Sequence, residues 1–421
     1  MVNLYSKSNG FDGVYAICSF VILNLFSFSF VESYSIQNIL LFIILFIAQI
    51  IYKDKIAINI TLISFLVWLL CYYYNVYPLN IYYTPEQTFT DSNYYDFYAL
   101  KFSKYDIERI MIESNITWQS VYVITFYSII YKFFGLQLLN PIIINLILIY
   151  FSFYNIRVNR IKGKNLYFIL FLIPFIALNA VVPGKDVIMI FLMSIYLSTF
   201  IRGYSKTKSL IIKFIIIFLG FLNRPNSLPI FLLIELISYN NLSKKLKYIV
   251  NSLVVITVSL YPFFAEKLID VLGFSNRIDI QRDGFTMSES LINLFLPDNI
   301  LLYVLVTPIR TLAYLVSPFP LFNRVLLLYN DVNFFSFWFV LFKFISGFIW
   351  FLFIYKFFIN KKFKYNAVIN VLLVLPVFIS AVSFVQGGRY RIFCDFVLIF
   401  YFTINNNNNN NNNENFNNKS F

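Results

Sequence analysis

The chain reads as an all-α, polytopic integral membrane protein of about 11 to 13 transmembrane helices, and three observations predict that class. Hydrophobic residues make up 59% of the sequence and charged residues only 13%, too little polar surface to clothe a water-soluble globule. Apolar runs of about 15 to 20 residues recur from Tyr15 to Ile404, each long enough to cross a hydrocarbon core of roughly 30 Å as a helix. The basic residues gather in the short segments between those runs, where positive-inside orientation and anionic lipid account for them.

In chain order the spans fall at residues 14–31, 36–52, 56–74, 139–156, 165–182, 187–201, 209–223, 227–240, 248–264, 333–356, 366–384 and 391–404. The first run follows Lys7 without a small-residue cleavage pattern, so it reads as a retained helix rather than a signal peptide. Two further apolar segments, 117–135 and 299–316, either cross the membrane or lie at its interface as re-entrant pieces. If both crossed, ten basic residues between Arg157 and Lys247 would face outward, against the positive-inside bias. The re-entrant arrangement keeps them cytoplasmic and is the one expected. It leaves two long outer loops, 75–116 and 265–330, containing short or re-entrant helices, and short outer turns at 183–186, 224–226 and 386–391.

The expected organisation is one polytopic domain over residues 1–404, with no repeat of fixed period, followed by a disordered cytoplasmic tail at 405–421. That tail opens with an unbroken asparagine run, Asn405 to Asn413, which has no apolar face to bury.

Composition also removes function classes. The net charge of +13 is scattered through loops and does not form a nucleic-acid surface. Cys18, Cys71 and Cys394 all fall inside expected spans, which argues against a disulfide framework and against zinc. The chain contains no histidine, so no mechanism that needs an imidazole applies, and a proton must move through Asp, Glu, Lys, Tyr or water. No cofactor and no metal are expected.

Four stretches carry residues suited to chemistry. The first large loop holds "TDSNYYDFYALKFSKYD", where Asp91 and Asp96 lie beyond the third span; a carboxylate there would meet a sugar hydroxyl, or would simply keep the loop in water. "NAVVPGKDVIMIF" opens a span with Lys185 and Asp186 after Pro183 and Gly184: Asp186 suits the helix dipole, and Lys185 would bind an anion or snorkel to the interface. "FLNRPNSLPIF" presents Arg224 and Asn226 at a second break between apolar runs. "FVQGGRYRIFCDF" presents Arg389 and Arg391 as planar forks for phosphate or carboxylate, although Asp395, one helical turn on, would also neutralise Arg391. Arg282 in the second loop and Arg310 inside segment 299–316 extend the basic set. In the expected topology these residues open on one outer face, which suits a polyanionic lipid-linked donor.

The acidic, tyrosine-rich "DSNYYDFYA", the helix-opening "PGKD", the "NRPN" turn, the outer "SPFP" and the late "GGRYR" resemble features of the O-antigen polymerases (Wzy-type) and, more distantly, of the GT-C class of membrane glycosyltransferases. The resemblance runs from about residue 10 to 404 and rests on the position of features more than on an invariant pattern. It implies a multi-pass protein of the bacterial inner membrane that joins undecaprenyl-diphosphate-linked oligosaccharide repeat units into lipopolysaccharide O-antigen on the periplasmic face. In it, Lys185, Arg224, Arg389 and Arg391 would hold the departing diphosphate, Asp91 or Asp96 would assist the attacking hydroxyl, and a chain-length regulator would be a partner. Two other readings stay open: a GT-C-like transferase using a polyprenyl-phosphate sugar, and a flippase for the same lipid-linked glycan.

Overall fold

The computed structural model describes residues 36–52, 54–73, 91–103, 118–136, 139–161, 163–200, 204–224, 300–317, 334–359 and 391–404, with single positions at 227, 231, 235, 252, 372 and 375–377. Among them every regular element is helical and no strand occurs, as the all-α class predicts. In chain order the helices are α1 (Ile36–Tyr52), α2 (Lys55–Tyr73), α3 (Asp91–Ser103), α4 (Trp118–Phe134), α5 (Leu139–Asn155), α6 (Lys164–Ala180), α7 (Lys185–Ser198), α8 (Lys206–Asn223), α9 (Ile300–Val316), α10 (Phe334–Ile359) and α11 (residues 391–404). The expected spans at 14–31, 248–264 and most of 227–240 and 366–384 lie outside the described residues, as does the asparagine-rich tail.

Local chemistry sets the helix ends. Asp54 opens α2: its Oδ1 accepts from the backbone N–H groups of Ile56 (3.1 Å) and Ala57 (3.0 Å), two of the donors a helix start leaves without partners. Ser205 opens α8, accepting from the Lys208 N–H at 3.4 Å. Between α4 and α5 the chain reverses through Gly135 at φ 92, a left-handed conformation that a side chain would strain. The amide of Asn140 then clamps that turn by donating to Phe134 O (2.7 Å) and Gly135 O (2.8 Å).

Among the described residues no single helix is long and apolar enough to cross a membrane; one bent pair, Ser120–Phe134 with Leu139–Asn155, reaches that length and composition together across a 114° break. Segment 117–135, expected as an interfacial or re-entrant piece, is a helix that turns sharply into its neighbour. The first long loop contains a short helix, α3, and segment 299–316 is the helix α9.

Two compact units form: Met1–Leu228 with Phe402–Phe421, and Pro229–Tyr401. In the first, α3 packs on α4, α5 on α7, α2 on both α5 and α6, and α7 on α8. Its core is aliphatic and aromatic, with Leu146, Ile142, Ile173, Phe175, Met193 and Tyr196 all buried. In the second, α9 packs on α10 at a point where Gly347 faces the end of α9; a Cβ there would stand 2.1 Å from Val316 O. Only the missing side chain allows the two backbones to approach so closely.

Candidate functional site

The polar side chains of the first unit gather where the segment Val181–Gly184 turns into α7. An apolar helix that carries a buried asparagine must find it partners, because an unsatisfied amide in such surroundings costs about 1–3 kcal/mol. Asn145, fully buried in α5, finds them at this turn: its Nδ2 donates to Val181 O at 2.7 Å, and its Oδ1 accepts from the Tyr127 hydroxyl at 2.9 Å. The Tyr127 hydroxyl in turn accepts from the Gly184 N–H at 3.1 Å and lies 3.3 Å from Gly184 O. With one proton to give, it serves Asn145 first, so a single phenol ties α4, α5 and the start of α7 together.

Lys185 and Asp186 follow at once, both buried. Gly184 occupies the capping position of α7 and Asp186 lies in its first turn, as the sequence predicts for a residue favoured by the dipole. Asp186 does more than that: its carboxylate, without exposed surface, forms an ion pair with Arg224 at the end of α8. Asn223, one residue earlier, donates its amide to Lys185 O at 2.9 Å. The "NRPN" break thus closes on the "PGKD" turn through two adjacent residues, joining stretches 38 residues apart.

The third component comes from α3. The helix packs on α4, and its Tyr95, Ala99 and Phe102 are buried. The Lys185 ammonium lies 5.5 Å from the centroid of the Tyr95 ring, within cation–π range. Asp96, 3% exposed, accepts a hydrogen bond from the Tyr131 hydroxyl of α4. Burial disfavours the charged carboxylate and pushes Asp96 up to about 7, against the opposing pull of the Tyr131 hydrogen bond. A carboxyl at that value is poised to accept a proton near neutrality.

The site residues expected from sequence therefore separate. Asp96, Lys185 and Arg224 come together around one turn of the first unit. Asp91 begins α3 and lies on its first turn. Asn226, Arg282 and Arg389 lie outside the described residues. Arg310 and Arg391 belong to the second unit, and both are fully buried. Arg310 Nη2 donates to Thr307 Oγ1 at 3.2 Å. Arg391 serves main-chain carbonyls: Nη1 donates to Leu315 O (3.2 Å) and to Ser317 O, and Nη2 to Lys343 O (2.6 Å). The Leu315 and Ser317 carbonyls lie at the end of α9, which leaves such groups without helical partners, so a cation is well placed there; Lys343 lies within α10. Asp395, expected to neutralise Arg391 along the helix, also accepts from Ser346 Oγ (2.9 Å) and Trp350 Nε1 (2.6 Å).

Sequence reasoning missed Tyr95, Tyr127, Tyr131, Asn145 and Asn223. A signal existed for three of them. Tyr127 and Tyr131 stand four residues apart on one face of α4, with Ser120 two turns before Tyr127, a buried polar stripe in a largely apolar helix. Asn145 interrupts the apolar run "IIINLILI", where an amide needs partners. Among the described residues no group of three or more Cys, Asp or Glu side chains is arranged to hold a metal ion.

No protein-family model, no curated protein and no solved structure matches the chain.

Proposed function

We propose that this chain is a multi-pass membrane glycosyltransferase that polymerises undecaprenyl-diphosphate-linked oligosaccharide repeat units at the periplasmic face of the bacterial inner membrane. The observation that carries the reading is a buried carboxyl poised near neutrality, Asp96, on a helix whose preceding residue, Tyr95, holds the Lys185 ammonium over its ring at the start of α7. In the proposed reaction Asp96 takes the proton of the acceptor sugar hydroxyl as that oxygen attacks the donor's anomeric carbon. The bond from that carbon to the diphosphate oxygen breaks, and its electron pair leaves with the diphosphate. Lys185 stabilises the charge that develops there. Arg224, engaged with Asp186, holds the turn that presents Lys185.

A lipid environment is supported by the outer faces of the helices. Phe214 and Phe218 of α8 are 73% and 54% exposed, Leu301 and Leu305 of α9 are 72% and 75%, and Ile51 of α1 is 64%. Large aliphatic and aromatic side chains exposed in such number are what a lipid-facing surface would carry. The helix α3, with Asp91, Asp96 and Lys101 in 13 residues, is too polar to be one of the spans and suits the outer loop.

The buried carboxyl on the first loop also favours a second reading, a GT-C-like transferase that uses a polyprenyl-phosphate sugar. Deleting the gene and resolving the surface polysaccharide on a gel separates the readings. A polymerase predicts a ladder collapsed to one repeat unit. Complete loss of repeat units indicates a flippase or an earlier transferase, and an unchanged ladder overturns the proposal.

A further inference from the structure

We propose that Tyr131 is the positioning residue of the Asp96 base, fixing the direction of its carboxyl group and the pH range over which that group accepts a proton; this rests on the reading of Asp96 given above. Tyr131 is 1% exposed and Asp96 3%, so the bond between them is shielded from solvent competition. A hydroxyl donor favours the ionised carboxylate and opposes the burial that favours the neutral acid. It also engages Oδ1, which orients the group and leaves Oδ2 outside that bond.

The surroundings assign this task to Tyr131 rather than to its neighbour. Tyr127, four residues earlier on the same face, gives its proton to Asn145 and takes one from Gly184, so it builds the turn. Among the described residues, Tyr127 and Tyr131 of α4 lie near Asp96, Tyr127 also within reach of the Asp186 charge, and Lys185 lies over the ring of Tyr95, the residue before Asp96. Asp186 is paired with Arg224. Tyr131 is the residue whose hydroxyl reaches the Asp96 carboxyl across the α3–α4 contact.

The test uses the full-length protein in detergent micelles. The carboxylic-acid carbonyl stretch is followed by infrared difference spectroscopy against pH, and the Asp96 signal is identified by its loss in Asp96→Asn. Tyr131→Phe keeps the ring and removes the donor; the titration midpoint should rise by about one to two pH units, the shift expected for losing a hydrogen bond to a charged acceptor. Substituting 3-fluorotyrosine at position 131, a stronger donor of nearly the same shape, should move the midpoint down. Tyr127→Phe should leave it in place. In membranes, polymer formation by Tyr131→Phe should be lost at low pH and recover toward the parent level as pH rises, with kcat rather than KM carrying the change. An unmoved midpoint in Tyr131→Phe, or an equal rise in Tyr127→Phe, overturns the inference. A fully active Asp96→Asn overturns the reading of Asp96 instead, while the infrared midpoints still decide whether Tyr131 tunes the group.

Discussion

Replacing Arg224 by alanine should destabilise the first unit strongly, and most of the effect should come from what is left behind. Asp186 has no exposed surface and Arg224 is 13% exposed, so removing the guanidinium leaves a carboxylate that water reaches poorly. Breaking one partner of such a pair costs on the order of 3–5 kcal/mol, whereas replacing both partners by apolar groups is often neutral. Arg224→Met with Asp186→Leu should therefore recover much of the stability that Arg224→Ala loses. The neighbouring bond from Asn223 to Lys185 O, 2.9 Å long, would hold the turn in the double variant. Thermal unfolding of the purified protein in one detergent, for the parent, Arg224→Met, Asp186→Leu and the double variant, yields the coupling energy. A coupling below about 0.5 kcal/mol, with the single effects adding, would refute the claim that these two side chains lock the turn.

Two other changes test packing and burial. Gly347→Ala places a Cβ 2.1 Å from Val316 O, which the backbones must move apart to admit; a loss of about 1–3 kcal/mol in thermal unfolding is expected, and no loss would contradict the close α9–α10 approach. Asp54 is pushed up to about 6 by burial, so its folded-state value lies above the unfolded one. Its contribution to stability is then fully present below about pH 4 and is lost as pH rises through about 6. Asp54→Asn keeps an equally good cap and should flatten that dependence, leaving the protein more stable at pH 7 by up to about 3 kcal/mol; an unchanged slope between pH 4 and 6 would count against it.

The helices were more legible in the sequence than the site. Long apolar runs stopped by polar and turn residues place α1 at Ile36–Tyr52, where the run itself predicts 36–52, and α5 at Leu139–Asn155 against 139–156. Starts shift where a charged residue begins the helix: Lys185 and Asp186 belong to the first turn of α7, two residues before the apolar run at 187. Such residues count against an apolar window yet satisfy helix geometry. The sharp turn between α4 and α5 was not legible, because it depends on Gly135 at positive φ and on the Asn140 clamp.

For the site, residue type was readable and partnership was not. Asp96 could be named as a candidate base, but its partner Tyr131 stands 35 residues away on another helix. Arg224 and Lys185 could be named as anion ligands, but the ion pair that Arg224 makes with Asp186, 38 residues away, could not. Arg391 shows the same limit: an arginine beside a glycine turn suits phosphate, yet it reaches Leu315, Ser317 and Lys343 carbonyls, which no local pattern announces.

The most direct measurement is complementation of the deleted gene with Asp96→Asn, a change that keeps the shape of the side chain and removes its capacity as a base. The variant should reach the membrane at the parent level and yield single repeat units without a ladder. A full ladder from that variant would contradict the assignment of Asp96 as the base for glycan transfer.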